Sequence, residues 1–293
     1  MAISLRRRVE TTKCERNSGL FVMELIDSVS DIDPDCTDFA LFSGGDDSVV
    51  STHVAQQEYD IDLVVYLDTN TGIQENIEHV KSVCETYEWD LAILSSPMTL
   101  KEFAVGSDTR EPLGFPGPGI HSWAYQYFKE RQLREIATHV NTTPKFYTGV
   151  RRHESNRRMK NVEGGRVEAE RWVWVSPVHD WRDSAMDKYR NDHDLPTNPV
   201  AEKIGRSGDC YCGAYAHRDS ELAELEAHYP DHAEWLKEVE QEVQEEIGTD
   251  EDYAYWGFGG LSEKELRAKM ANDDMAQMSL CSSCDVPEYP RGE

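Results

Sequence analysis

Four of the seven cysteines fall into two tight pairs, Cys210-x-Cys212 and Cys281-x-x-Cys284. This is metal-ligand spacing. A set of four thiolates suits a structural zinc ion or a 4Fe–4S cluster, because both take such ligands from short loops. Such a site would tie the C-terminal segment back onto the middle of the chain. The competing reading is two pairs of unrelated reduced thiols. Cys14, Cys36 and Cys84 stand alone and are read as unligated. An odd count argues against a disulfide framework.

A second constellation is Ser43-Gly44-Gly45-Asp46-Asp47-Ser48, which leaves a short apolar run and enters a helical stretch. Glycines there let backbone N–H groups converge on an anion, and a helix N-terminus adds partial positive charge. The hydroxyls of Ser43 and Ser48 can donate to phosphate oxygens. Asp47 cannot bind phosphate directly, so a carboxylate in such a loop points to Mg²⁺. No Gly-Lys-Ser/Thr follows, so this is not a Walker A loop. The alternative is an ordinary glycine-rich turn capped by Asp47.

The third is Gly149-Val150-Arg151-Arg152-His153-Glu154-Ser155-Asn156-Arg157-Arg158, a dense run of arginine in a chain with few cations. Guanidinium groups favour bidentate contact with phosphate or sulfate. The competing reading is a solvated basic face paired with surplus acids. His153 and His179 are candidate bases of lower weight.

These residues need a scaffold that brings them together. Phe39–Phe42, Leu63–Leu67, Leu91–Leu94, Lys145–Thr148 and Trp172–Val175 read as strands. Helices are expected over about Val49–Gln57, Gln74–Tyr87, Trp123–Val140 and Arg182–Asn191, with a long Gly/Pro-rich loop from Gly106 to Gly119. Strand and helix alternate, so the fold class is α/β, a doubly wound parallel sheet. Open sheets bind ligands at the carboxyl ends of their strands, where the glycine loop and Gly149–Arg152 both fall. A helical, acidic stretch follows from about Asp219 to Glu246. The expected organisation is an arm over 1–36, a nucleotide-binding α/β domain over 37–205, and an acidic helical C-terminal region over 206–293 holding both cysteine pairs.

The 293-residue chain carries 30 Lys+Arg against 56 Asp+Glu, a formal charge of −26, with 39% hydrophobic residues. That apolar content excludes wholesale disorder. The acids are spread along the chain and lysine is scarce, which fits a surface adapted to molar salt, as in haloarchaea and their viruses. No apolar stretch is long enough to span a bilayer, and Arg6–Arg8 are followed by none that would make a secretory signal. No membrane association and a cytoplasmic location are therefore expected.

The glycine loop resembles the pyrophosphatase (PP) loop, Ser-Gly-Gly-x-Asp-Ser, of the ATP-pyrophosphatase superfamily, a Rossmann-like fold. The chain is similar to the phosphoadenosine phosphosulfate (PAPS) reductase branch of that group over roughly residues 37–215. Leu67-Asp68-Thr69-Asn70-Thr71-Gly72 resembles the branch's Asp-Thr-Gly element, and Gly149–Arg158 its Gly-x-Arg-Arg-x-Glu-Ser segment. Val175–Trp181 and Leu195-Pro196-Thr197-Asn198-Pro199 resemble two further elements in the right order. Gly205–Cys212 is similar to its Arg-Ser-Gly-Cys-x-Cys stretch.

The resemblance implies an adenine nucleotide, ATP or PAPS, held by Ser43, Gly44, Gly45, Asp46, Ser48, Asp68, Thr69 and Gly149. Asp47, with Mg²⁺, and Arg151 and Arg152 would act on it or on its acceptor. Two departures matter. The Glu-Cys-Gly-Leu-His segment of thioredoxin-dependent reductases is missing, and Asp47 is retained where those reductases tend to lose it. Both favour cleavage of ATP between its α- and β-phosphates, with adenylylation of an acceptor, over sulfonucleotide reduction. A third departure, Asp46 where the family often has Lys, removes a charge from the phosphate site. A sulfur-transfer role, with a nucleic acid or a sulfur carrier as acceptor, would follow from a cluster on Cys210, Cys212, Cys281 and Cys284. PAPS or adenylylsulfate reduction, a non-catalytic nucleotide-binding module and assembly into a homo-oligomer stay open.

Overall fold

The computed structural model describes residues 23–107, 110–152 and 165–258. Seven strands form one sheet: β1 (Leu25–Ile26), β2 (Asp38–Leu41), β3 (Leu63–Asp68), β4 (Leu91–Ser95), β5 (Lys145–Tyr147), β6 (Arg166–Glu168) and β7 (Val173–Val175). Their order is β1-β4-β3-β2-β5-β7-β6, parallel throughout except for the antiparallel edge strand β6. The central strands are apolar on both faces, as strands covered by helices on both sides must be. Phe39, Leu41, Leu63, Val65 and Phe146 belong to one core, whereas Ala40, Phe42, Val64, Tyr66 and Tyr147 belong to another.

Helices α1 (Asp46–Glu58) and α2 (Gln74–Thr86) cover the second face through Val49, Val50, Val54, Val80 and Val83. Helix α5 (Arg131–His139) covers the first through Leu133 and Ile136. The sheet is thus doubly wound. Its order reverses at β2, with β3 on one side and β5 on the other. This is the switch point at which the carboxyl ends of the strands open a crevice. Helix α6 (Asp183–Asp192) joins α1 on the second face through Met186.

A third core lies beyond the sheet. It combines α3 (Leu100–Val105), α4 (His121–Tyr125), α7 (Pro199–Ile204), the Cys210–Ala216 segment, α8 (Arg218–His228), α9 (Pro230–Ile247) and Trp256. The expected acidic helix is therefore two helices. Tyr229 and Pro230 divide it, because proline starts a helix readily but cannot continue one. The expected helix over Trp123–Val140 contains a π-helical turn, Gln126–Glu130, between α4 and α5. In the segment read as an arm, Leu25–Ile26 pairs with β4, and Ile32 is buried in the first core. No helix among the described residues is long and apolar enough to cross a membrane.

Candidate functional site

Residues Ser43–Gly45 run from the end of β2 into α1. Gly44 has φ +87°, and a Cβ there would lie 2.2 Å from Asn76 Oδ1, so only glycine fits both the backbone and the space. Ser43 N–H donates to Ser48 Oγ at 2.9 Å, which closes the loop on itself. Gly45 precedes α1 with no side-chain cap, leaving the helix N-terminus to backbone groups.

The two acids of the loop have different partners. Asp46 is held from outside the loop: Arg190 Nη1 of α6 lies 2.6 Å from Oδ2, and Asn198 N–H donates to Oδ1 at 3.0 Å. The Asp46 carboxylate is thereby paired by the body of the protein. Asp47 Oδ2 accepts from Arg151 Nη2 at 2.8 Å, and Arg151 Nη1 donates to Asp183 Oδ1 at 2.6 Å. Loss of surrounding water pushes the Asp47 carboxyl up. Arg151 pulls it down, but neighbouring Asp183 and Asp46 add to the upward shift, which prevails.

Arg151 is 5% exposed and sits on the segment after β5. Gly149, in the same segment, packs on α1, where a Cβ would be 3.0 Å from Ser51 Oγ. The structure therefore brings Ser43–Ser48, Gly149 and Arg151 together. Arg152 has other partners, with Nη2 3.2 Å from His179 Nε2 and 3.1 Å from Asp180 Oδ1. Burial, opposed by Asp180 and reinforced by Arg152, lowers the His179 pKa. His153, Glu154, Ser155, Asn156, Arg157 and Arg158 lie outside the described residues.

Asp68 ends β3 and Thr69 follows it. Asp68 receives Asn70 N–H at 2.8 Å and Ser95 Oγ at 3.0 Å, so its carboxylate shapes the turn. Thr69 Oγ1 donates to Asp209 O at 3.1 Å and lies 2.8 Å from Thr71 Oγ1. Thr71 Oγ1 in turn accepts Tyr211 N–H at 2.9 Å and donates to Cys210 Sγ at 3.6 Å. The turn after β3 is thus sewn to the segment that carries the first cysteine pair.

Cys210 and Cys212 are reduced, 9% and 4% exposed, within the third core. Burial and a hydroxyl donor at sulfur suit a metal-bound thiolate. Cys281 and Cys284 lie outside the described residues, and among the described residues no three ligating side chains cluster. The Cys84 thiol is pushed up to about 12 by burial, and Cys36 also to about 12 by burial and the carboxylates around it, led by Asp62. Neither is a nucleophile near neutral pH.

Several residues that brace the site were not singled out as site residues from the sequence. Asn76 and Asn198, both 0% exposed, brace the glycine loop from behind. Lys129, on the π-helical turn, pairs with Asp209 Oδ2 at 2.8 Å, with both side chains almost wholly buried. Ser207 Oγ donates to the other oxygen of Asp209 at 2.8 Å. Asn198 and Ser207 fall in motifs read from the sequence, and Asn198 has a physical sign as well: Asn-Pro is an N-cap followed by proline at the first helical position, and its Oδ1 accepts Val200 N–H at 2.7 Å.

A family model described as the phosphoadenosine phosphosulfate reductase domain matches residues 38–214. An uncharacterized protein of Methanocaldococcus jannaschii is 28% identical over 235 residues, which cover 78% of this chain and 52% of that protein. The chain spans about half the length of this curated relative. Among solved structures, a PAPS reductase of Candida auris, in complex with phosphate, is similar with a TM-score of 0.41 and 15% identity, covering 58% of this chain and 78% of that one. An NH3-dependent NAD synthetase of Campylobacter jejuni gives 0.39 and 13%, covering 72% and 85%. A tRNA thiolase of Methanococcus maripaludis, solved with its 4Fe–4S cluster, gives 0.35 and 11%, covering 72% of each chain.

Proposed function

The chain belongs to the phosphoadenosine phosphosulfate reductase family, and from that premise we propose that it is an ATP pyrophosphatase that adenylylates an acceptor. The observation that carries this reading is the 2.8 Å pair between Asp47 and Arg151, which joins the glycine loop to the arginine segment at the switch point of the sheet. The loop amides bind the β- and γ-phosphates, and Arg151, through its pair with Asp47, holds that carboxylate in place and adds positive charge beside the loop. An acceptor nucleophile bonds to the α-phosphorus as the bridging bond to the β-phosphate breaks. Pyrophosphate leaves with the electron pair, and the acceptor's proton passes to water.

Asp47 is the residue that would hold Mg²⁺. Its side chain is half open and stands in the first turn of α1, next to the glycine loop, which suits an ion that takes one or two carboxylates and otherwise phosphate oxygens and water. The ion supplies charge neutralisation at the phosphates. Cys210, Cys212, Cys281 and Cys284 would hold zinc or a 4Fe–4S cluster. With a cluster, the acceptor is a substrate for sulfur insertion, such as a nucleic acid, or a sulfur carrier. The setting is the cytoplasm, in high salt.

Against sulfonucleotide reduction by Cys210 stands its burial in an apolar core, since an attacking thiolate needs access to substrate. Competition binding tests the reading. In molar KCl with Mg²⁺, ATP should displace a fluorescent ATP analogue at least tenfold more tightly than AMP does. Equal binding of ATP and AMP, or a preference for PAPS over ATP, would reject it.

A further inference from the structure

Resting on the reading of the glycine loop as a pyrophosphate site, we infer that Asn76 and Asn198 are positioning residues that aim its amides. Asn76 Nδ2 donates to Ser43 O at 3.0 Å. Asn198 Nδ2 donates to Gly44 O at 2.7 Å and to Asn76 Oδ1 at 2.8 Å. In a trans peptide the carbonyl of one residue and the N–H of the next point in opposite directions. Holding Ser43 O inward therefore turns Gly44 N–H outward, and holding Gly44 O inward does the same for Gly45 N–H. No hydrogen bond from either N–H occurs among the described residues. Two consecutive unspent donors face the side where the phosphates would lie.

The arrangement is constrained on every side. Asn76 Nδ2 also donates to Tyr66 OH at 3.2 Å, whose buried ring fixes the amide against the sheet. Asn198 Oδ1 caps α7, so its amide plane cannot flip without losing the cap. The backbone N–H of Asn198 holds Asp46, so one residue fixes both the second peptide of the loop and the first turn of α1. Preorganised donors of this kind need no rearrangement when the anion arrives.

The test separates the cap from the aim. Asn198→Ser keeps a capping oxygen for α7 but has no donor that reaches Gly44 O. Amide spectra of the full chain are recorded with inorganic pyrophosphate as the probe, beside thermal melts. The expected result is that Gly44 and Gly45 signals shift with pyrophosphate in the wild type. In Asn198→Ser affinity falls about tenfold or more at a temperature well below its melting point, which drops because Gly44 O and Asn76 Oδ1 lose a buried donor. Wild-type affinity in Asn198→Ser would overturn the inference. Should Asn198→Ser fail to fold, Asn76→Ala tests the other peptide in the same way.

If the wild type does not bind pyrophosphate, the pyrophosphate reading fails, and amide exchange still decides the positioning claim. Gly44 and Gly45 N–H must exchange fast in the wild type and change in the variants. Protection in the wild type, or identical rates throughout, would sink it.

Discussion

Arg151 Nη2 lies 2.8 Å from Asp47 Oδ2, tying the first turn of α1 to the segment after β5. The same guanidinium reaches Asp183 Oδ1 at 2.6 Å. Lysine keeps the charge but not the fork that spans two carboxylates. Arg151→Lys should lower ATP turnover, measured as pyrophosphate release, by about 100-fold, the scale of losing one aimed donor. Because the Arg151 side chain is 6% exposed while its partners Asp47 and Asp183 are 51% and 83% exposed, stability should fall by an amount between that of a surface and a buried pair, about 1–3 kcal/mol. Unchanged turnover would remove Arg151 from the site.

Asp38 offers a pH test of the sheet that carries the site. Burial alone would raise its pKa, but hydrogen bonds from Thr37, Tyr147 and Lys145 outweigh burial and hold it below the usual carboxylate range. A depressed carboxylate contributes stability that is present above its unfolded pKa, about 4, and lost as pH falls through its folded value. Asp38→Asn should cost about 1–3 kcal/mol at pH 7 by urea unfolding. The difference from wild type should shrink as pH falls below the unfolded value of about 4. A cost that does not change with pH would contradict this.

Lys129 and Asp209 are a buried ion pair, with side chains 4% and 2% exposed. Removing one partner strands the other charge, which costs about 3–5 kcal/mol. Lys129→Met should lose that much in urea unfolding, and Lys129→Met with Asp209→Asn should recover a large part of it. Equal losses for the single and double variants would show that the pair is not the source of the cost.

The cysteine pairs are tested by metal content. Full-length chain purified without oxygen should carry either one zinc, or iron with matching acid-labile sulfide. Cys210→Ser and Cys281→Ser should each lower that content by half or more. If Cys281→Ser leaves it unchanged, the C-terminal pair is not part of the site.

The sequence made the scaffold legible where burial acts on contiguous residues. Leu63–Leu67 is an unbroken apolar run because β3 is covered on both faces. The glycine loop stands out because φ at Gly44 and the proximity of Asn76 admit no side chain. Strand β6 was illegible, since Arg166-Val167-Glu168 lies at an edge with little to bury. Strand β1 is only two residues long. The bracing of the site was hidden for another reason: Asn198 acts on Gly44 across 154 residues of sequence, and Arg190 on Asp46 across 144. No local pattern encodes such pairs. Pro230, by contrast, stands in the sequence at the break between α8 and α9.

The central claim is that ATP is cleaved between its α- and β-phosphates at the glycine loop. The most direct measurement is phosphorus NMR of ATP incubated with the full chain, Mg²⁺ and molar KCl, alongside an Asp47→Asn control. The expected products are inorganic pyrophosphate with AMP or an adenylylated acceptor, and none of either from Asp47→Asn. ADP with inorganic phosphate would contradict the claim, as would conversion of PAPS to sulfite in the presence of a dithiol.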